Sequence, residues 1–290
     1  MPFLPLIFLA GLQAMQNPAP DAETRARYRA CVDQVRAAPE AGLQMANGWR
    51  IVGGGVYARQ CLGLAYVALG RWTEAARDYE EAARETGAAD ARAPDFWVQA
   101  GNAWLAGGEA ARAIQAFDSA LTSDALTDQL RGEVRLDRAR ALVSVGSLPA
   151  ARADLDLALG LVADDPMAWY LSAALAHRQH DAARAGADIA HARRLAPDNP
   201  DVLLLAGTVA GEAGHMDEAE RLYRQIVQAA PDSEAGRAAA ASLATAHEVE
   251  VPASSANAPA GTPANPAAPN PAAPVPATPA PRPAQPPHSR

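Results

Sequence analysis

Six histidines and two cysteines are the side chains of this 290-residue chain best suited to hold a metal, relay a proton or form a cross-link. His177 and His180 stand three residues apart, a spacing that puts both on one side of a helix end. A metal would need a further histidine or carboxylate at matching spacing, and none is there, so the pair is read as solvated. His215, beside Asp217 and Glu218, falls in a stretch with the character of a turn and is read in the same way. Gly53-Gly54-Gly55 is followed by no anion-binding helix start and reads as a hinge. The chain contains no lysine, which removes the usual phosphate loop, and it has no G-x-S-x-G, C-x-x-C or H-E-x-x-H motif. These residues give no ground for a catalytic residue, a metal site or a cofactor, and the chain is read as non-enzymatic.

Cys31 and Cys61 allow one disulfide across about 30 residues, worth roughly 3 to 4 kcal/mol through restriction of the unfolded chain. The alternative is two buried free thiols. The choice depends on compartment, and the N-terminus bears on that. Met1 to Gln16 (MPFLPLIFLAGLQAMQ) holds an apolar run from Phe3 to Leu12, too short to span a bilayer yet suited to the apolar core of a secretory signal. No arginine precedes Arg25, so only the terminal amine supplies positive charge to it. Leu12 stands where a lipoprotein signal needs cysteine. Residues 1–16 are therefore expected to be a signal peptide, with a bacterial periplasmic location and no stable membrane span in the mature form. The alternative is a cytoplasmic or membrane-tethered regulatory adaptor that keeps its N-terminus.

The net charge of −8, with every basic residue an arginine, supplies no patch for tracking a phosphate backbone, so nucleic acid is not an expected partner. Abundant alanine favours helix. From residue 251 to the end the chain loses every aromatic, and 13 of its 24 prolines lie there. Such a segment buries too little apolar surface to offset its ordering entropy, and residues 251–290 read as a disordered Pro/Ala-rich tail. Its P-x-x-P spacings, as at Pro263/Pro266, follow automatically from Ala-Pro repetition.

Between these ends the sequence repeats. Gly70, Gly108, Gly146 and Gly214 each have a helical apolar pattern on both sides, the signature of helix, tight turn, helix. Aligned on those turns, five units begin at Val56, Pro94, Gly132, Pro166 and Pro200, spaced by 38, 38, 34 and 34 residues. Position 8 of each unit is small: Gly63, Gly101, Ala139, Ala173, Gly207. Position 20 is alanine throughout: Ala75, Ala113, Ala151, Ala185, Ala219. Position 24 is large: Tyr79, Phe117, Leu155, Ile189, Tyr223. Small residues let two helices approach, and the large residue is expected to fill the space between one hairpin and the next.

These columns, the turn glycine and the closing Pro197 and Pro231 resemble the tetratricopeptide-repeat (TPR) family across residues 56–233. The resemblance implies an all-α solenoid of antiparallel helix pairs. Residues 21–55 read as a degenerate leading pair and 234–250 as a capping helix. It also implies that the first helices line a peptide-binding groove, placing Tyr57, Gln60, Leu64, Val98, Asn102, Leu136, Arg140, Tyr170, His177, Arg178 and Leu204 on that face. Chaperone-binding members resemble one another in a Lys/Asn/Arg clamp, which Gln60, Leu64 and the absence of lysine do not reproduce. Two departures stand out: position 4 is Arg59 and Arg135 in two units where tryptophan is common, predicting loosened packing, and His180 replaces the turn glycine. The expected function is a protein- or peptide-binding scaffold of the bacterial cell envelope.

Overall fold

In a computed structural model, which describes residues 21–88 and 90–250 and the side chains as far as 245, the described residues form thirteen α-helices and no strand. The expected signal peptide and Pro/Ala tail lie outside the described residues. The chain divides into two compact units: residues 1–107 with 118–125, and residues 108–117 with 126–290.

The first unit contains α1 (Ala22–Ala37), α2 (Pro39–Ile51), α3 (Gly55–Ala68), α4 (Trp72–Thr86) and α5 (Ala93–Ala106). Asp21 caps α1 by accepting the Thr24 N–H at 2.6 Å. Pro39 opens α2 as its first residue, where its missing N–H costs nothing. The leading pair buries its apolar side on α3, in a core of Val35, Leu43, Ala46, Leu62 and Ala65 around Cys31 and Cys61. The two cysteines are fully buried and form a disulfide that ties α1 to α3, with Cα atoms 6.3 Å apart.

The second unit contains most of α6 (Ala110–Leu121) and then α7 (Asp128–Ser144), α8 (Leu148–Leu161), α9 (Pro166–Arg178), α10 (Ala182–Leu195), α11 (Pro200–Glu212), α12 (Met216–Ala229) and α13 (Glu234–Glu250). Helix α7 starts at Asp128, capped by Thr127, four residues ahead of the unit start read from the repeat at Gly132. Helix α13 lies against both α11 and α12, and its Ala235 and Ala239 are buried in their core.

One turn conformation recurs in the hairpins of the five repeats. Gly70, Gly108, Gly146 and Gly214 have φ of 68°, 78°, 77° and 82°, the left-handed conformation that only glycine adopts without Cβ strain. The next residue then bonds back across the turn: Arg71 N–H to the Tyr66 carbonyl at 2.8 Å, and Ser147 to Leu142 and His215 to Ala210 at 2.9 Å. His180 takes the same place with φ 59°, and Asp181 N–H reaches the Ala176 carbonyl at 2.9 Å. The turn geometry survives loss of its glycine.

The large residue of position 24 packs on the small column of its own hairpin, and Leu155 and Ile189 also share a core with residues of the following hairpin, as expected of a side chain that fills the space between hairpins. A Cβ placed on Gly63 would lie 2.5 Å from the Tyr79 ring, and one on Gly207 would lie 2.6 Å from Tyr223. Where the large residue is only leucine or isoleucine, at Leu155 and Ile189, the partner column carries alanine, Ala139 and Ala173. Burying each large side chain contributes about 1.5 to 3 kcal/mol.

Position 4 is not loosened either. Arg59 of α3 donates to Glu85 at 2.6 Å and pairs with Asp78 at 3.5 Å, both on α4. Arg135 of α7 donates to Asp154 of α8 at 2.9 Å, and Arg138 grips the same carboxylate at 2.6 and 2.8 Å. Asp154 is 2% exposed, so its charge is held by two guanidiniums in place of water. The second helix answers the arginine with an aspartate nineteen residues on, a pairing legible in the sequence but not sought there.

Candidate partner-binding faces

Each first helix presents positions 2, 5, 9 and 12 on one side, and the side chains assigned to a binding face fall into three groups. The first is locked inside the protein. Tyr57 stands edge-on to Tyr28, ring centroids 5.9 Å apart, and accepts a hydrogen bond from Arg92 Nη1 at 2.6 Å. Arg92 is itself fixed by two contacts to Asp90 at 2.8 and 3.0 Å, so this phenol is held in place. Arg140 donates to Asp137 at 3.2 Å one turn away, and His177 meets Glu212 of α11 at 2.9 Å. Tyr170 is half-buried against the α9–α12 core, and burial, followed by the Asp201 carboxylate, pushes its phenol above the usual tyrosine range. It remains a neutral hydrogen-bonding group.

A second group is core. Leu136 is 5% exposed and packs with Ala139, Leu142 and Leu155. Its assignment to the binding face is corrected: α7 is rotated so that the helix buries this position against α8. Leu64 and Leu204 are half-buried at the edge of the cores of their own units, where they contribute apolar surface and little reach.

The third group has capacity to spare. Gln60 on α3 and Asn102 on α5 are half-buried, and neither side-chain amide bonds to another described residue. Val98 lies one turn from Asn102 on the same side of α5. Amides in this condition hold both donors and acceptors ready, and an extended backbone is the complementary shape, since it offers N–H and C=O in alternation. Arg178, exposed in the last turn of α9, also has no bonded side-chain partner among the described residues.

Other contacts were not anticipated. Trp104 donates to Glu80 at 2.7 Å, Trp169 stacks on His191 at 3.9 Å, and Arg152 of α8 reaches Ser172 of α9. Each joins side chains 20 or more residues apart, beyond what a single-helix pattern registers. Among the described residues no group of three metal-ligating side chains converges, and no helix is long and apolar enough to cross a membrane.

Comparison with known proteins agrees with this architecture. A tetratricopeptide-repeat family model matches residues 62–126 and 172–234. No curated protein sequence matches. Among solved structures, PilF of Pseudomonas aeruginosa superposes with a TM-score of 0.61 at 16% identity, over 76% of this chain and 97% of that one. PilW, a type IV pilus biogenesis factor, gives 0.63 at 16% identity, over 75% and 98%. The Cut9–Hcn1 assembly of the APC/C gives 0.57 at 16% identity, over 78% of this chain and 40% of that one. Identities this low speak for the fold and not for the partner. On the repeat columns, the helix pairs and these matches together, the described residues form an all-α tetratricopeptide-repeat solenoid.

Proposed function

We propose that this chain is a non-catalytic scaffold of the bacterial cell envelope that holds a protein or peptide partner on the first-helix faces of its repeats. The observation that carries the reading is the pair of half-buried amides, Gln60 and Asn102, neither of which bonds to another described residue. Such amides can exchange water for the N–H and C=O groups of a ligand backbone without breaking a bond inside the protein. Envelope location draws support from the buried Cys31–Cys61 disulfide, which persists in oxidising compartments, from the signal-like residues 1–16, and from the likeness to PilF and to PilW, the latter described as a type IV pilus biogenesis factor.

The test places a photo-crosslinking residue at Val98 and, as a control, at Arg77, which is exposed on the second helix α4. A discrete adduct from Val98 that is lost on Asn102→Ala and absent from Arg77 supports the reading. Equal labelling from both sites, or adducts indifferent to Asn102, overturns it. Sequencing the N-terminus of the mature protein separates the envelope location from a retained N-terminus.

A further inference from the structure

Position 21 of the second helix holds the seam between one hairpin and the next. In α6 it is Ile114, which packs against the core of the following helices. In α8 it is Arg152, whose guanidinium reaches forward to Ser172 of α9, with Nη1 2.7 Å from the hydroxyl and Nη2 2.9 Å from the carbonyl. In α10 the same position is Gly186. A Cβ there would meet nothing within 4 Å, and a cavity of about 550 Å³ opens between α9–α10 and α11–α12. The floor is aliphatic, including Ala185, Ile189, Ala206 and Val209. Ile114 and Arg152 fill this seam from their own second helix and Ala76 of α4 supplies only a methyl, whereas at Gly186 the side chain must come from elsewhere.

The rim narrows the choice of occupant. Its two carboxylates are already engaged, Glu212 by His177 at 2.9 Å and Glu218 by Arg193 at 2.8 Å. His180 and His215 line the same cleft with rings that carry no hydrogen bond to another described residue. His180 also sits in the left-handed turn conformation that the other four hairpins give to glycine, so an imidazole is kept at this opening against the backbone preference. Two imidazole donors beside an aliphatic floor favour an apolar side chain with an acceptor next to it, and a carboxylate is the strongest such acceptor.

We propose that the Gly186 cleft is a socket for an aromatic side chain of a partner peptide, with the carboxylate of an adjacent acidic residue bound by His180 and His215. The volume lies within the range of small-ligand sites and admits an indole ring. The proposal rests on the scaffold reading and adds the chemistry of one partner residue pair.

The experiment titrates the full chain at pH 6 with the dipeptide Ac-Trp-Glu-NH2 and with Ac-Trp-Gln-NH2, following the backbone amides of Gly186 and Ala190 by NMR. The expected result is a shift at both amides, with the Glu dipeptide bound at least about fivefold more tightly. Gly186→Leu fills the cleft where space is open, and is expected to weaken binding about tenfold or more at a melting temperature no lower than the parent's. His180→Ala with His215→Ala is expected to abolish the preference for Glu over Gln, which keeps the test decisive if the leucine variant does not fold. Equal binding of the two dipeptides, unchanged affinity in either variant, or no shift at Gly186 overturns the socket. If Val98 still crosslinks its partner after such a failure, the scaffold reading stands without it.

Discussion

Two hairpins of the second unit answer the same packing problem with opposite chemistry. In α11–α12, positions 4 and 23 are Leu203 and Leu222, both buried in an aliphatic core with Ala206 and Ile226. In α7–α8 the same positions are Arg135 and Asp154, and Arg138 adds a second guanidinium to the carboxylate. The helix-pair architecture is common to both. The repeat therefore specifies how closely two helices approach, through its small column, and leaves open which complementary pair joins them near the contact. The two solutions differ in how they fail. An aliphatic pair loses stability in proportion to the volume removed, whereas a buried ionic pair loses most when only one partner is removed.

The largest effect follows from that asymmetry. Asp154→Ala removes the buried carboxylate that Arg135 and Arg138 share and is expected to cost about 3 to 5 kcal/mol by urea unfolding. The apolar hairpin is broken differently: Gly207→Ala drives a methyl to 2.6 Å from the Tyr223 ring, with an expected cost of about 1 to 3 kcal/mol. In the first unit Asp78→Ala removes the counterpart of Arg59, but that arginine keeps Glu85 at 2.6 Å, so a loss of about 1 kcal/mol is expected. His180→Gly tests the turn column, and relief of the left-handed strain is expected to raise the unfolding free energy by up to about 1 kcal/mol in urea. The smallest change sharpens the comparison most. Arg135→Leu and Arg138→Ala combined with Asp154→Leu convert the ionic hairpin to the α11–α12 solution, in which the place of Arg138 is taken by Ala206, and are expected to come within about 1 kcal/mol of the parent; a loss as large as that of Asp154→Ala would show that the two chemistries are not interchangeable.

Of the candidate binding face, the sequence located the first helices but not the state of their side chains. Tyr57 was assigned to the face, and only the fold brings Arg92, thirty-five residues away, to its hydroxyl. Leu136 was assigned to the same face by position number and is buried, because the register of α7 is set by contacts with α8. Gln60 and Asn102 stand on the first helices by position, yet that neither bonds to another described residue is a property of everything around them. His177, His180 and His215 were set aside one by one, since His215 belongs to the following hairpin and its nearness to the other two is invisible along the chain.

The sequence by itself determined the helix-pair repeat, the glycine turns and the matching of small to large positions, since each is fixed by a short-range rule: helical period, left-handed φ and the steric reach of a Cβ. It also contained the Arg59/Asp78 and Arg135/Asp154 spacing. Only the tertiary structure decided that these charges meet, that Cys31 and Cys61 do so inside a core, and that Gly186 leaves an open seam. Each of those depends on the distance between helices brought together from different repeats, and helix-to-helix distance is set by the summed volume of many side chains, which no local pattern encodes.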